Sequence, residues 1–357
     1  MSETLTAQQR ANLFAMSTRQ NLQMLPKQTA TSGATSLQFS LPKSRLLSGL
    51  SLLVKAKISV KHAILTELTI NEISQYYRLI RRISLDLNNG FSPYVLSGEE
   101  CFMYNLLNRN GNVLLADGAV ANDLMHVPGK LTASESGAVN NVDIFIDLPV
   151  TTNPRDPIGL ILLQNDQTNV TLTVDIANAS EMFATVPGGF TIELASMDVT
   201  PVVETFSIPA NANAYPDLSV LKLCNGRNDA MPSAGQQIIK LSTGTIYRKL
   251  LIMLTKSDGT PMGYDEVTSN FELVFNQADV NYSISPEMLH ALNTRDLGFD
   301  LPKGMYVFDF SAGGNITNYG GSRDFIDTER LTEFWIRFNT NVVGKCKIVT
   351  ECLARLQ

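Results

Sequence analysis

The densest run of chemically competent side chains is Asp324, Asp327, Glu329, Arg330 and Glu333, with Arg323 beside it. Carboxylates at this spacing could work as an acid–base pair or gather around a cation. Arg323 and Arg330 are close enough in sequence to neutralise them, so a salt-bridged loop at a subunit contact or strand entry is the favoured reading. Asp147 and Asp309 each end an apolar run and read as turn formers. Gly313-Gly314-Asn315 and Gly320-Gly321-Ser322 could cradle an anion, but no helix follows to supply aligned backbone donors. An exposed loop is the simpler reading. His62, His126 and His290 fall in different elements, and the patterns HExxH, GxxxxGKS/T, GxSxG and GxGxxG are absent. Cys101, Cys224, Cys346 and Cys352 form no CxxC pair and read as reduced core thiols, which suits folding in a cytoplasm. The sequence therefore nominates no catalytic, cofactor-binding or metal-ligating residue, and no enzyme is expected.

The elements around these residues repeat. In the last fifth of the chain, strands are expected at Met305–Phe310, Leu331–Asn339 and Lys345–Cys352. Phe334, Ile336 and Phe338 alternate with Glu333, Trp335 and Arg337, the period of a half-buried strand. Residues 141–176 show the same order: a strand ending in Asp147-Leu148, a polar loop, an apolar strand at Ile158–Leu163 and an alternating strand at Val170–Ile176. Upstream, Tyr77-Arg78-Leu79-Ile80 heads a strand in the first half and Tyr247-Arg248-Lys249-Leu250 heads one in the second. Short helices are expected at Gly98–Arg109, capped by Ser97, and at Pro286–Asn293, capped by Ser285. Two matches in the same order point to a fold built twice.

The 357 residues suffice for two cores. No apolar run reaches the length of a membrane-spanning helix, and no N-terminal apolar run marks a secretory leader. The net charge of −6 is unevenly distributed: residues 1–62 hold eight Lys/Arg and one acid, Glu3. A basic front on an acidic body suggests that one end faces something anionic, although a solvated basic surface would look the same. Residues 2–25 read as one amphipathic helix, with Thr6 and Gln9 at capping-box spacing and Pro26 as its stop. Residues 27–36 read as a flexible linker. Together they form an arm, residues 1–34, whose Arg10, Phe14, Arg19, Leu22 and Lys27 are the candidate contacts to a membrane or a neighbouring subunit. Pro187-Gly188-Gly189 places a boundary between residues 35–187 and 188–357, and 211–235 reads as a long polar loop. The expected fold class is all-β: two tandem antiparallel sandwiches, with short helices and an N-terminal helical arm.

The basic arm, the duplicated order of elements and the block DFIDTERLTEFWIRFN resemble the double jelly-roll major capsid proteins of icosahedral viruses with an internal membrane. Tectiviruses infecting bacteria are the nearest likeness and adenovirus hexon a distant one. The first copy departs from the block, having PIGLILLQND and no ERLTEFW equivalent. The resemblance implies a double jelly roll that assembles as pseudo-hexagonal homotrimers into an icosahedral shell. It further implies contacts to other capsid and vertex proteins, an arm near the internal membrane and no direct nucleic-acid contact. The protein would reside in the virion and be made in the host cytoplasm. The competing reading is a two-domain β-sandwich binding module, such as a lectin or receptor-binding spike. In that case loops 110–140, 211–235 and 311–324 would carry the ligand site.

Overall fold

The computed structural model describes residues 6–88, 90–108, 127–152, 158–164, 169–215, 217–311 and 325–355. Chain contacts divide it into two units, the first of residues 1–105, 113–222 and 355–357, the second of residues 106–112 and 223–354.

The first unit begins with helix α1 (Ala7–Ser17). The expected capping box is present: Gln9 N–H donates to Thr6 Oγ1 at 3.2 Å and Thr6 N–H to Gln9 Oε1 at 2.9 Å. The helix stops at Thr18, eight residues short of Pro26. Two short strands follow, β1 (Gln20–Met24) and β2 (Gln28–Ala30), then β3 (Ser36–Ser40), β4 (Leu46–Lys61) and β5 (Thr66–Thr69). After the one-turn helix α2 (Ser74–Tyr77) come β6 (Ile80–Leu87), β7 (Phe91–Leu96) and helix α3 (Gly98–Asn108). The unit continues with β8 (Lys130–Ala133), β9 (Ala138–Pro149), β10 (Ile161–Leu162), β11 (Val170–Ile176) and β12 (Thr191–Phe206). One sheet centres on the 16-residue strands β4 and β12; β9 and β10 lie end to end along β4, and β1 and β2 along β12. The other runs β7–β6–β11–β3, and β5 pairs with β8. Alternation fixes which face is buried: Leu52, Val54, Ala56, Ile58 and Val60 of β4 point into the core, while Lys55, Lys57 and Lys61 point out.

Three sequence expectations change here. Residues 2–25 are not one helix and 27–36 are not a free linker, because the edge of β12 offers unpaired backbone groups that β1 and β2 satisfy (Gln20 opposite Phe206, Met24 opposite Val202, Ala30 opposite Met197). The boundary at residue 188 moves to Lys222, since the strand after Pro187-Gly188-Gly189 pairs along β4 from Thr191 to Phe206 and belongs to the first unit. That strand also runs unbroken through Pro201. The proline carbonyl accepts from Leu25 N–H at 2.8 Å on the side where β1 gives way to β2, so its missing N–H leaves no ladder bond unmade.

Strand β13 (Val220–Met231) leads into the second unit and occupies most of the expected loop 211–235. The unit holds β14 (Gly235–Leu241), β15 (Ile246–Lys256), β16 (Phe271–Phe275), β17 (Asp279–Ile284), helix α4 (Pro286–Leu297), β18 (Met305–Asp309), β19 (Ile326–Asp327), β20 (Phe334–Thr340) and β21 (Gly344–Arg355). One sheet has β21 between β15 and β13, with β18 and β19 along the outer side of β15; the other is β14–β20–β16–β17. Phe334, Ile336 and Phe338 of β20 face Tyr247, Ile252, Cys346 and Ile348 in one aromatic-rich core, as their alternation requires. All four cysteines are buried free thiols, as the sequence indicated. Burial pushes the Cys352 thiol up to about 12.

A matched device recurs in both units. Asn105 lies eight residues after the cap Ser97 in α3, and Asn293 lies eight after the cap Ser285 in α4. Asn105 Nδ2 donates to the Asp147 carbonyl at 3.1 Å, and its Oδ1 accepts from Asp147 N–H at 2.9 Å. Asn293 does the same to Val307, at 2.8 and 3.0 Å. In each case a buried amide imitates a neighbouring strand for an edge strand, β9 or β18, that pairs on one side only.

Candidate functional site

The five candidate arm residues have different fates. Phe14 is 4% exposed and packs edge-on against Phe206, ring centroids 5.5 Å apart, in a cluster with Leu46 and Leu160. It anchors α1 to its own unit and cannot also face a membrane. Lys27 is held by Asp198 at 2.8 Å. Lys27 and Thr29 hydrogen-bond the Asp198 carboxylate and lower its pKa, outweighing its slight burial. Arg10 is exposed on α1, and Arg19 is exposed with its backbone tied both ways to Ser207. Leu22 is exposed on β1, as are Met16 and Met24 nearby in sequence. The structure thus leaves Arg10, Arg19 and Leu22 on the surface, buries Phe14, and keeps Lys27 exposed but ion-paired to Asp198.

Folding also offsets part of the charge asymmetry. Lys27 pairs with Asp198, Lys55 with Asp143 at 3.5 Å and Lys61 with Glu193 at 2.9 Å, so acids from later strands neutralise the basic front. The sequence shows the charges but not the pairing that places β12 and β9 beside β4.

Among the described residues the acidic run near residue 327 does not converge. Asp324 and the two glycine pairs lie outside the described residues, as do His126, Arg323 and most of loops 110–140 and 311–324. Asp327 Oδ1 accepts from Glu329 N–H at 2.9 Å, a local turn, while Glu333 reaches Lys240 of the neighbouring strand at 3.5 Å. Among the described residues the cation paired with Glu333 is Lys240, and Arg330 stays exposed. Asp309 is a turn former as expected, its Oδ1 accepting from Ser311 N–H and Oγ at 2.9 and 2.6 Å. Asp147 instead sits inside β9 and takes the Ser51 hydroxyl at 2.9 Å. His62 packs tilted against Phe190, and His290 meets Tyr264 edge-on. Among the described residues no group of three His, Cys, Asp or Glu could hold a metal, and no helix is long and apolar enough to cross a membrane.

Two surface features escaped the sequence reading. Ile64 and Leu65, at the turn after β4, are 65% and 78% exposed. In the second unit a shallow cavity of about 460 Å³ is bounded by Tyr282, Asn276, Asn281, Asp279 and Asp327 among others. Adjacent aliphatics are not conspicuous in a chain that is 44% hydrophobic, so only their exposure in the folded chain singles out Ile64 and Leu65.

The sequence matches no protein-family profile, and no curated protein matches it. The fold, however, is shared. The crystal structure of the major capsid protein of Sulfolobus Turreted Icosahedral Virus superposes with a TM-score of 0.67 at 15% identity, over 94% of this chain and 97% of that one. The PBCV-1 virus capsid protein gives 0.64 at 11% identity over 94% of both chains. The major capsid protein of bacteriophage PM2 gives 0.52 at 9% identity, over 95% of this chain and 98% of that one. The chain has the double jelly-roll fold of these proteins, in agreement with the resemblance read from the duplicated blocks.

Proposed function

We propose that this chain is a major capsid protein whose work is self-assembly into the shell of an icosahedral virion, not catalysis. The observation that carries the reading is the end-to-end match to capsid proteins: at least 94% of each chain is covered in the first two comparisons, so the pair of sandwiches is shared as a whole. Two similar units in three copies give six similar corners, so the assembling unit is a homotrimer of pseudo-hexagonal outline. Trimers then meet one another and the vertex proteins. An internal membrane, where the virion has one, would meet the chain through Arg10, Arg19 and Leu22, since Phe14 is buried within the unit and the exposed Lys27 is already paired with Asp198. Assembly in the host cytoplasm suits four thiols with no disulfide.

The test is native mass by light scattering. The expected value is three times the chain mass of 39.2 kDa, with larger shells as concentration rises. A monomer at every concentration would refute the reading. The second reading, a carbohydrate-binding module, draws on the cavity beside Tyr282, whose exposed aromatic ring and flanking amides and carboxylates suit a sugar. It predicts glycan binding that Tyr282→Ala abolishes.

A further inference from the structure

We propose that Ile64 and Leu65 form a preorganised hydrophobic knob that inserts into a second copy of this chain. This rests on the assembly reading and names one of its contacts.

The two side chains are exposed in succession at the turn joining β4 to β5. Single exposed aliphatics are ordinary; two adjacent ones on a fixed turn are a patch that water solvates poorly. The turn is fixed from three sides. His62 N–H donates to the Ser134 carbonyl at 3.1 Å, and Ile64 N–H lies 3.3 Å from His62 Nδ1. The His62 ring packs at a tilt against Phe190 with centroids 4.5 Å apart. Gly189 closes over the same imidazole: a Cβ there would lie 3.0 Å from His62 Nε2, and its φ of +84° already favours glycine. Beyond the turn, Asn140 ties β8 to β9, accepting from Thr132 N–H at 2.8 Å and donating to Thr132 O at 2.9 Å. Little conformational freedom remains to be lost when the knob is buried, which favours association.

The charges around the knob identify the occupant. Lys61 pairs with Glu193 at 2.9 Å and Glu67 with Lys130 at 2.8 Å, so the two charged residues that bracket the turn in sequence, Lys61 and Glu67, are already neutralised within the chain. An anionic lipid surface gains little from such a rim, whereas a bare aliphatic centre inside a neutral polar rim is the anatomy of a protein–protein contact. For a chain that assembles with itself, the protein met at highest local concentration is another copy.

The experiment compares the full chain with the double variant Ile64→Ser, Leu65→Ser by sedimentation velocity over a concentration series. Met288→Ser, at an exposed apolar residue of α4, serves as the control. Self-association should weaken by about 100-fold in the double variant, from the loss of two buried aliphatic side chains, and stay unchanged in the control. An environment-sensitive dye on Leu65→Cys should shift to the blue as assemblies form. If the unmodified chain assembles and the double variant assembles equally well, the knob proposal falls and the assembly reading stands. If the unmodified chain never assembles, the assembly reading itself falls. Flotation of the unmodified chain with zwitterionic vesicles, lost in the double variant, would make lipid the occupant and overturn the proposal.

Discussion

Replacing Asn293 with leucine should loosen the outer edge of the second sandwich while leaving its core volume nearly unchanged. The asparagine is buried and makes both of its strand contacts to one residue, accepting from Val307 N–H at 3.0 Å and donating to Val307 O at 2.8 Å. Leucine is of similar size but neither donates nor accepts, and it seals the site from water. Two buried backbone groups are then left unpaired at about 1–3 kcal/mol each, a total of about 2–6 kcal/mol. Aspartate is the informative comparison: it still accepts from Val307 N–H but turns a carboxylate oxygen toward the Val307 carbonyl, so it should not restore stability. The assay is urea denaturation followed by amide exchange. The Val307 amide should exchange about 30-fold faster or more in Asn293→Leu, the factor that corresponds to about 2 kcal/mol of easier local opening. Asn105→Leu should do the same at Asp147. Unchanged protection at Val307 and an unchanged denaturation midpoint would refute the claim that the amide stands in for a missing strand.

Phe14→Ala should empty the pocket beside Phe206 at a cost of about 3–5 kcal/mol, enough to free α1 and speed tryptic cleavage at Arg10 and Arg19 several-fold. Asp198 is depressed by Lys27 and Thr29, so its contribution is present above the unfolded carboxylate value of about 3.9 and is lost as pH falls through the lower folded value. Both partners are partly exposed, so the effect is below about 1 kcal/mol; exchange of β2 amides should rise in that acidic window, and Lys27→Met should flatten the dependence. Gly98→Ala should destabilise the first unit despite alanine's better helix propensity, because the new Cβ would fall 1.9 Å from the Tyr77 carbonyl oxygen; the thermal midpoint should drop. The four thiols should ignore a thiol reagent in the folded chain at pH 8 and all react in denaturant, since burial raises Cys101, Cys346 and Cys352 above the usual thiol range.

The parts of the fold that were legible in the sequence are those where one face is buried and the other wet. Val170–Ile176 matches β11 residue for residue, and Phe334, Ile336 and Phe338 face the core as their alternation indicates. What was illegible depended on a partner distant in sequence. Residues 20–24 (QNLQM) carry no alternation, and their strand exists because β12 presents an open edge some 180 positions later. The polar half of β13, Asn225–Ala230, is largely exposed on both sides and so looks like a loop. The eight-residue spacing from serine to asparagine stands in the sequence twice, but nothing there shows that Asp147 and Val307 need the amide.

The management of sheet edges connects fold to proposed function. A chain that works packed against many copies of itself is exposed to unwanted strand pairing at every open edge. Here β9 and β18 are each capped by a helix asparagine, and β12 is covered by the stretch that the sequence suggested was a free arm. The exposed edge strand β17 has an irregular register between Leu273 and Val274, where Asn281 has no opposite residue, and it begins with Asp279. The bulge and the charge both disfavour a further strand. Association left to side chains on fixed turns can specify one geometry, whereas backbone pairing at a flat edge tolerates slips in register. On this argument the contacts that build a shell should lie at features such as Ile64 and Leu65, and a variant that uncovers an edge, such as Phe14→Ala at raised temperature, should form irregular aggregates rather than larger shells. Electron microscopy of that variant distinguishes the two, and ordered shells from a chain lacking a docked β1 would show that edge protection is dispensable.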